Sequence, residues 1–369
     1  MKIATLTFHA SHNYGSVLQA YALSKQLQIM GNDVEIINLR PQSQKDAYPR
    51  VPKFRRFIDR FFYLSIKGKL NRRYDEYERF INKTLPVTEC EYTSTDELKN
   101  NDFDYDAYVC GGDQIWNPVC QDFETAYYLQ FLDNESKAKK ISYSPSLGKT
   151  KFDNETLNNI GNWVKDFDSI SVRETRGANI VSKVSGRDVS VVCDPVLLLE
   201  RKFWDEMSVE PGIKKPYMLV YFLENNHGNK GFVDELSKIL GLDVVVITEY
   251  LRDAIKPYIK KYDASPEEFV GLFKNASFVY TNSFHGTAFA TIYNKPFISV
   301  VDANQESAEN NNDSRKIDYL KLIGLENRLV KNELPSKDEL LNCDFTAANK
   351  KMQAFREKSY KYLYDALGE

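Results

Sequence analysis

Lys2-Ile3-Ala4-Thr5-Leu6-Thr7-Phe8 runs directly into His9-Ala10-Ser11-His12-Asn13-Tyr14-Gly15-Ser16, and from Ser16 the chain takes helical character as far as Met30, before Gly31. A short β-rich apolar run, a polar turn and a helix stopped by glycine make one β-turn-α unit. A second apolar run over 33–39 completes a βαβ unit and predicts a parallel pair. Further out, strands are expected at 106–110, 140–144, 169–172 and 189–193. After the linker-like Pro211-Gly212-Ile213-Lys214-Lys215-Pro216, a second series begins. It has strands at 217–223, 243–248, 278–281 and 296–301, with helices near 231–240 and 266–276. Ser265-Pro266-Glu267-Glu268 opens the latter with a serine cap, an early proline and early acids. A last helix is expected over 344–366.

Length and composition narrow the reading. At roughly 150 residues per domain, 369 residues suggest two domains. The expected division is 1–210, 211–344, and a helix at 345–369 that packs back on the first domain. Charged residues at 27% and hydrophobic residues at 42% exclude a disordered or collagen-like chain. With a net charge of −3, no global basic field draws the chain to nucleic acid. Five scattered cysteines without a CxxC predict neither a disulfide framework nor a zinc site. The opening apolar run is too short for a signal peptide, and no stretch is long enough to span a membrane. A cytoplasmic protein is expected.

One segment breaks the rhythm. Residues 50–83 hold eleven Lys/Arg against four Asp/Glu, interleaved with Phe54, Phe57, Ile58, Phe61, Phe62 and Leu64. This basic amphipathic pattern fits two arrangements: a helical excursion packed on its parent domain, or peripheral contact with an anionic membrane surface.

Four constellations sit where chemistry is expected, just beyond strand ends. The first is the turn 9–16, where Asn13 and Gly15 are better ligand contacts than the histidines, since a helix start favours an anion. It is neither a Walker loop nor GxGxxG. The second is Gly111-Gly112-Asp113-Gln114-Ile115-Trp116-Asn117. Paired glycines permit close backbone approach; Asp113 and Gln114 suit sugar hydroxyls, and Trp116 offers a ring face. Alternatively this is a structural turn around a half-buried tryptophan. The third, Ser171-Val172-Arg173-Glu174, carries a fork for carboxylate or phosphate or merely a salt bridge. The fourth, Thr281-Asn282-Ser283-Phe284-His285-Gly286-Thr287-Ala288, places one of four histidines at a helix start, where it can move a proton or hold an anion. Asp194-Pro195 reads as a strand-terminating bend.

Taken together and in order, Asn13-Tyr14-Gly15, the 111–117 run, Ser171-Val172-Arg173-Glu174 and Ser283-Phe284-His285-Gly286-Thr287 resemble the polysaccharide pyruvyl transferase family over nearly the whole chain. The resemblance implies an α/β fold of two Rossmann-like domains with mainly parallel sheets, GT-B-like, with the active site in the interdomain cleft. It also implies transfer of pyruvate from phosphoenolpyruvate to two hydroxyls of a sugar or lipid-linked oligosaccharide, forming a cyclic ketal in capsular or exopolysaccharide synthesis. No cofactor or metal is expected beyond phosphoenolpyruvate as co-substrate. On this reading His285 and Arg173 are catalytic. Ser283, Gly286, Thr287, Asn282, Asn13 and Gly15 hold the donor, and Asp113, Gln114, Trp116 and Glu174 the acceptor. Some relatives carry an arginine where Ser283 stands, so one donor-binding charge is missing or supplied elsewhere. Two rivals stay open: a GT-B glycosyltransferase using a nucleotide sugar, with Glu306 or Glu309 as its acid, and a non-catalytic capsule-assembly protein.

Overall fold

Two parallel sheets carry the chain. The first has the order β3-β2-β1-β4-β5, built from β1 (Lys2–Leu6), β2 (Asp33–Leu39), β3 (Val87–Tyr92), β4 (Ala107–Gly111) and β5 (Lys139–Tyr143). Ile3 pairs with Val34 on one side and Ala107 on the other. Short β6 (Ser171–Val172) and β7 (Ser190–Val191) pair with each other beyond it. The second sheet comprises β8 (Tyr217–Tyr221), β9 (Asp243–Ile247), β10 (Ile259–Lys261), β11 (Phe278–Thr281), β12 (Phe297–Val300) and β13 (Leu329–Val330). Its order is β10-β9-β8-β11-β12-β13. The computed structural model describes residues 1–51, 57–133, 135–148, 151–223, 232–248, 251–301, 313–331 and 333–368.

The central strands of both sheets are buried on their two faces, as parallel strands must be when helices cover them, while the edge strands β3 and β10 are partly exposed. β4, β8, β11 and β12 are buried throughout. Local chemistry sets the helix ends. Asn13 caps the Tyr14–Ile29 helix by accepting from the Gly15 N–H at 2.9 Å. Gly31 follows with φ +91°, a value that favours glycine. Ser265 and Glu268 form a reciprocal capping box at 3.1 and 2.9 Å. The 211–216 linker carries no helix or strand, and the five cysteines are unpaired thiols.

The basic segment forms the long helix Phe57–Thr84. Tyr77, Phe80 and Ile81 bury on the core of the first sheet. On its outer side Arg79 Nη2 donates to both Glu267 oxygens at 2.8 Å, and Arg72 lies 3.4 Å from Asp263 and 3.5 Å from Glu268. Part of its charge therefore faces the acids that open the Pro266–Asn275 helix of the second sheet. Phe61 and Leu64 are more than half exposed. Phe54 and the side chains of Phe57 and Ile58 lie outside the described residues. No helix among the described residues is long and apolar enough to cross a membrane.

The helix Thr346–Leu367 packs on the first sheet. Tyr362 Oη donates to Ser142 O at 2.9 Å, Lys139 Nζ to Leu367 O at 2.6 Å, and the Cys193 N–H to Ser359 Oγ at 2.9 Å. Nearer the strand ends Tyr14 joins the two sheets. Its ring stacks on Phe269 at 4.3 Å and its hydroxyl donates to Ala264 O at 2.7 Å.

Candidate active site

Open α/β sheets bind ligands beyond the carboxyl ends of their strands, where the strand order reverses. In the first sheet that point lies between β1 and β4, and in the second between β8 and β11. The turns leaving β1 and β11 meet. A Cβ on Gly15 would stand 2.0 Å from His285 Nδ1, so only glycine lets the imidazole rest on the start of the Tyr14–Ile29 helix.

His285 is set by its neighbours in sequence. Ser283 Oγ caps the Phe284–Ile292 helix by accepting from the Gly286 N–H at 3.3 Å, and the Ser283 N–H donates to Thr281 Oγ1 at 3.0 Å. A Cβ on Gly286 would strike Thr281 Oγ1 at 2.4 Å. Thr287 Oγ1 donates to Ser283 O at 2.9 Å and lies 2.8 Å from Ser299 Oγ. Asn282 Oδ1 accepts from the Leu223 N–H at 3.0 Å. Ser283, Gly286, Thr287 and Asn282 thus build the turn, which uses the Ser283 and Thr287 hydroxyls and Asn282 Oδ1. Asn13 Oδ1 is likewise used on its own helix.

The imidazole meets a carboxylate from a third element. Asp194 Oδ2 faces His285 Nε2 at 3.6 Å and accepts from Arg173 Nη1. Asp194 Oδ1 accepts from the Val196 N–H at 3.0 Å and caps the Pro195–Leu198 helix. Burial would raise the Asp194 carboxyl, but His285 and Arg173 hold it well below the ordinary carboxylate range. Behind this pair Trp204 Nε1 donates to Val196 O at 3.2 Å, and its ring meets Phe289 of the His285 helix at 5.0 Å. The Arg173 guanidinium lies 4.9 Å over the Phe284 ring. Glu174 Oε1 accepts from Ser146 Oγ at 2.9 Å and the Leu147 N–H at 3.1 Å. Burial pushes its carboxyl up against the pull of Arg173 and Arg315.

Several buried polar atoms here make no hydrogen bond. Arg173 Nε and Nη2, Glu174 Oε2, His285 Nε2 and Arg315 Nε are buried without a hydrogen-bond partner. Each such group costs about 1–3 kcal/mol. Arg173 Nε and Nη2 form the side-on edge of the guanidinium, the edge that grips a carboxylate with two parallel bonds.

The β4 turn contributes less than its sequence suggests. Asp113, at φ +45°, accepts from Ser16 Oγ at 2.5 Å, and Gln114 Oε1 accepts from Asn117 Nδ2 at 3.0 Å. Trp116 corrects an expectation. It is fully buried, stacked on Tyr128 at 4.8 Å with Nε1 donating to Tyr127 O at 2.9 Å, so no ring face is left for a sugar. Sequence reasoning missed two residues. Asp194 shows only the Asp-Pro signature of a helix cap, and Arg315 opens the Ser314–Ile323 helix with no motif around it. Glu306 and Glu309 lie outside the described residues.

A family model described as polysaccharide pyruvyl transferase matches residues 13–304. No curated protein matches the chain. Among solved structures, the UDP-GlcNAc 2-epimerase from Neisseria meningitidis bound to UDP-GlcNAc is 12% identical, covering 100% of this chain and 99% of that one, at TM-score 0.51. A UDP-N-acetylglucosamine 2-epimerase candidate from Listeria monocytogenes is 10% identical over 96% of this chain and 91% of its own, at TM-score 0.54. These likenesses concern the fold, which is α/β and GT-B-like.

Proposed function

The chain belongs to the polysaccharide pyruvyl transferase family, and we propose that it transfers pyruvate from phosphoenolpyruvate onto two hydroxyls of a sugar, closing a cyclic ketal during capsular or exopolysaccharide synthesis. The observation that carries this reading is the side-on edge of Arg173 beside His285, whose Nε and Nη2 make no hydrogen bond, Nε having only an ion pair with Glu174 Oε2 at 4.0 Å. A small donor with a carboxylate and a phosphate suits buried guanidinium groups that keep hydrogen-bond donors open.

Arg173 Nε and Nη2 take the donor carboxylate. The imidazolium of His285, oriented by Asp194, gives its proton to the methylene carbon, leaving an oxocarbenium-like centre at C2. A sugar hydroxyl adds there and returns its proton to the imidazole. The second hydroxyl then displaces phosphate, which departs with that hydroxyl's proton, and the ketal closes. Protons and phosphate balance without a further reactant. Asp113 and Gln114 lie on the acceptor side of this reading. A lipid-linked acceptor at an anionic membrane surface would account for Phe61 and Leu64 standing exposed on a basic helix.

The test is calorimetry with phosphoenolpyruvate beside UDP- and GDP-sugars, followed by phosphate release in the presence of candidate acceptors. Binding of phosphoenolpyruvate that is lost in Arg173→Ala supports the reading. Binding of a nucleotide sugar with no response to phosphoenolpyruvate overturns it in favour of glycosyl transfer.

A further inference from the structure

We infer that Arg315, contributed by the second sheet's side of the site, is the cation that binds the donor's phosphate while Arg173 holds its carboxylate. This rests on the donor assignment above and concerns a residue outside the span of the family match.

The first observation is placement. Arg315 is the second residue of the Ser314–Ile323 helix, and its neighbour Lys316 fixes that helix start. Lys316 Nζ donates to Asn282 O at 2.7 Å and Val300 O at 2.5 Å, and pairs with Asp313 at 2.6 Å. Asn282 O belongs to the turn that delivers His285, so Arg315 is held in fixed relation to the histidine.

The second observation is an account of partners. Arg315 Nε is buried with no hydrogen-bond partner. The nearby carboxylates have other partners: Asp194 has Arg173 and the Val196 N–H, Asp113 has Ser16, and one Glu174 oxygen has Ser146 and Leu147, the second making no hydrogen bond. Burial, and then repulsion from Arg173, press the Arg315 guanidinium toward losing its proton, opposed by Asp113, Glu174 and Asp194. Asp113, Glu174 and Asp194 offset that repulsion in charge, but none of them supplies a hydrogen bond to Arg315 Nε. A ligand with two anionic ends can fill the open donors of both arginines, one end on each. The geometry also answers the serine at position 283. That residue is wholly used as a helix cap, and the charge arrives from the next helix along the sheet.

The experiment titrates phosphoenolpyruvate, inorganic phosphate and pyruvate into the wild-type chain, Arg315→Ala, Arg315→Lys and Arg173→Ala, each by calorimetry with a melting curve alongside. We expect Arg315→Ala to weaken phosphoenolpyruvate by about 10- to 100-fold, the range for losing a hydrogen bond to a charged group. Phosphate should weaken with it while pyruvate does not. Arg315→Lys and added guanidinium ion should each restore part of the affinity, and Arg173→Ala should weaken pyruvate instead. A folded Arg315→Ala variant that binds phosphoenolpyruvate as tightly as the wild type overturns the inference alone. No binding of phosphoenolpyruvate by the wild type overturns the donor assignment itself, and the inference with it.

Discussion

The turn after β1 and the turn after β11 each carry a buried histidine, and the two histidines lead opposite lives. His9 is fully enclosed, with Nδ1 3.3 Å from Thr7 O and Nε2 3.1 Å from Asn38 Oδ1. Burial, and then the Arg40 charge, lower it to about 4, so it is a neutral structural ring. His285 is almost as deeply placed, yet its Nε2 has no hydrogen bond and faces a carboxylate held in its charged form. Position after a strand and burial are common to both. What separates them is whether the polar atoms are satisfied, and that depends on elements distant in sequence.

The sharpest way to break this contrast is substitution of the two rings. His285→Ala should reduce pyruvyl transfer by about 1000-fold, within the usual range for losing an acid–base group, while His9→Gln leaves kcat within a few-fold. Phosphate-release kinetics on both variants decide it, and comparable losses would erase the distinction. The next largest effect concerns stability. Unfolded His9 has the ordinary value of 6.5 and the folded ring about 4. The unfolded chain therefore takes up a proton first, and stability present above pH 6.5 is lost as pH falls toward 4. Integrated over that window the loss is about 3 kcal/mol. Urea melts at pH 7 and 4.5 should show it, and His9→Gln should remove that share of the slope.

Gly15→Ala tests the contact between the two turns. The added methyl overlaps His285 Nδ1, and displacement of a catalytic ring by about 1 Å costs about 100-fold in rate. kcat should fall that far with the melting temperature only slightly lowered. Unchanged kcat would mean that the ring does not need this seat. The smallest effect is expected from Tyr14→Phe, which removes the hydroxyl bonded to Ala264 O and should cost about 1 kcal/mol in chemical denaturation.

Sequence patterning made the strand-turn-helix units legible, because apolar runs and cap residues are local signals. Ser265-Pro266-Glu267-Glu268 and Gly31 act in the structure as their chemistry requires. The site was legible only in part. His285 and Arg173 stand together, joined through Asp194, which the sequence presents as a bend. The sequence leaves Trp116 open between a ring face for a sugar and a structural turn, because a tryptophan in a polar turn looks alike whether it points in or out. Tyr127 and Tyr128, from a separate turn, decide that it points in. Arg315 carries no local signal, since its meaning comes from unpaired partners on other elements.

Trp204 gives the molecule an optical channel to its own site. The indole is sealed from water, bonded to the short helix capped by Asp194 and packed on the helix that carries His285. Its emission therefore samples both members of that pair from behind. Of the other two indoles, Trp116 is locked in a stack with Tyr128 and Trp163 is only partly covered. With Trp163 replaced by phenylalanine, a spectral change on adding a ligand would register movement of the Asp194 and His285 helices, with no label attached.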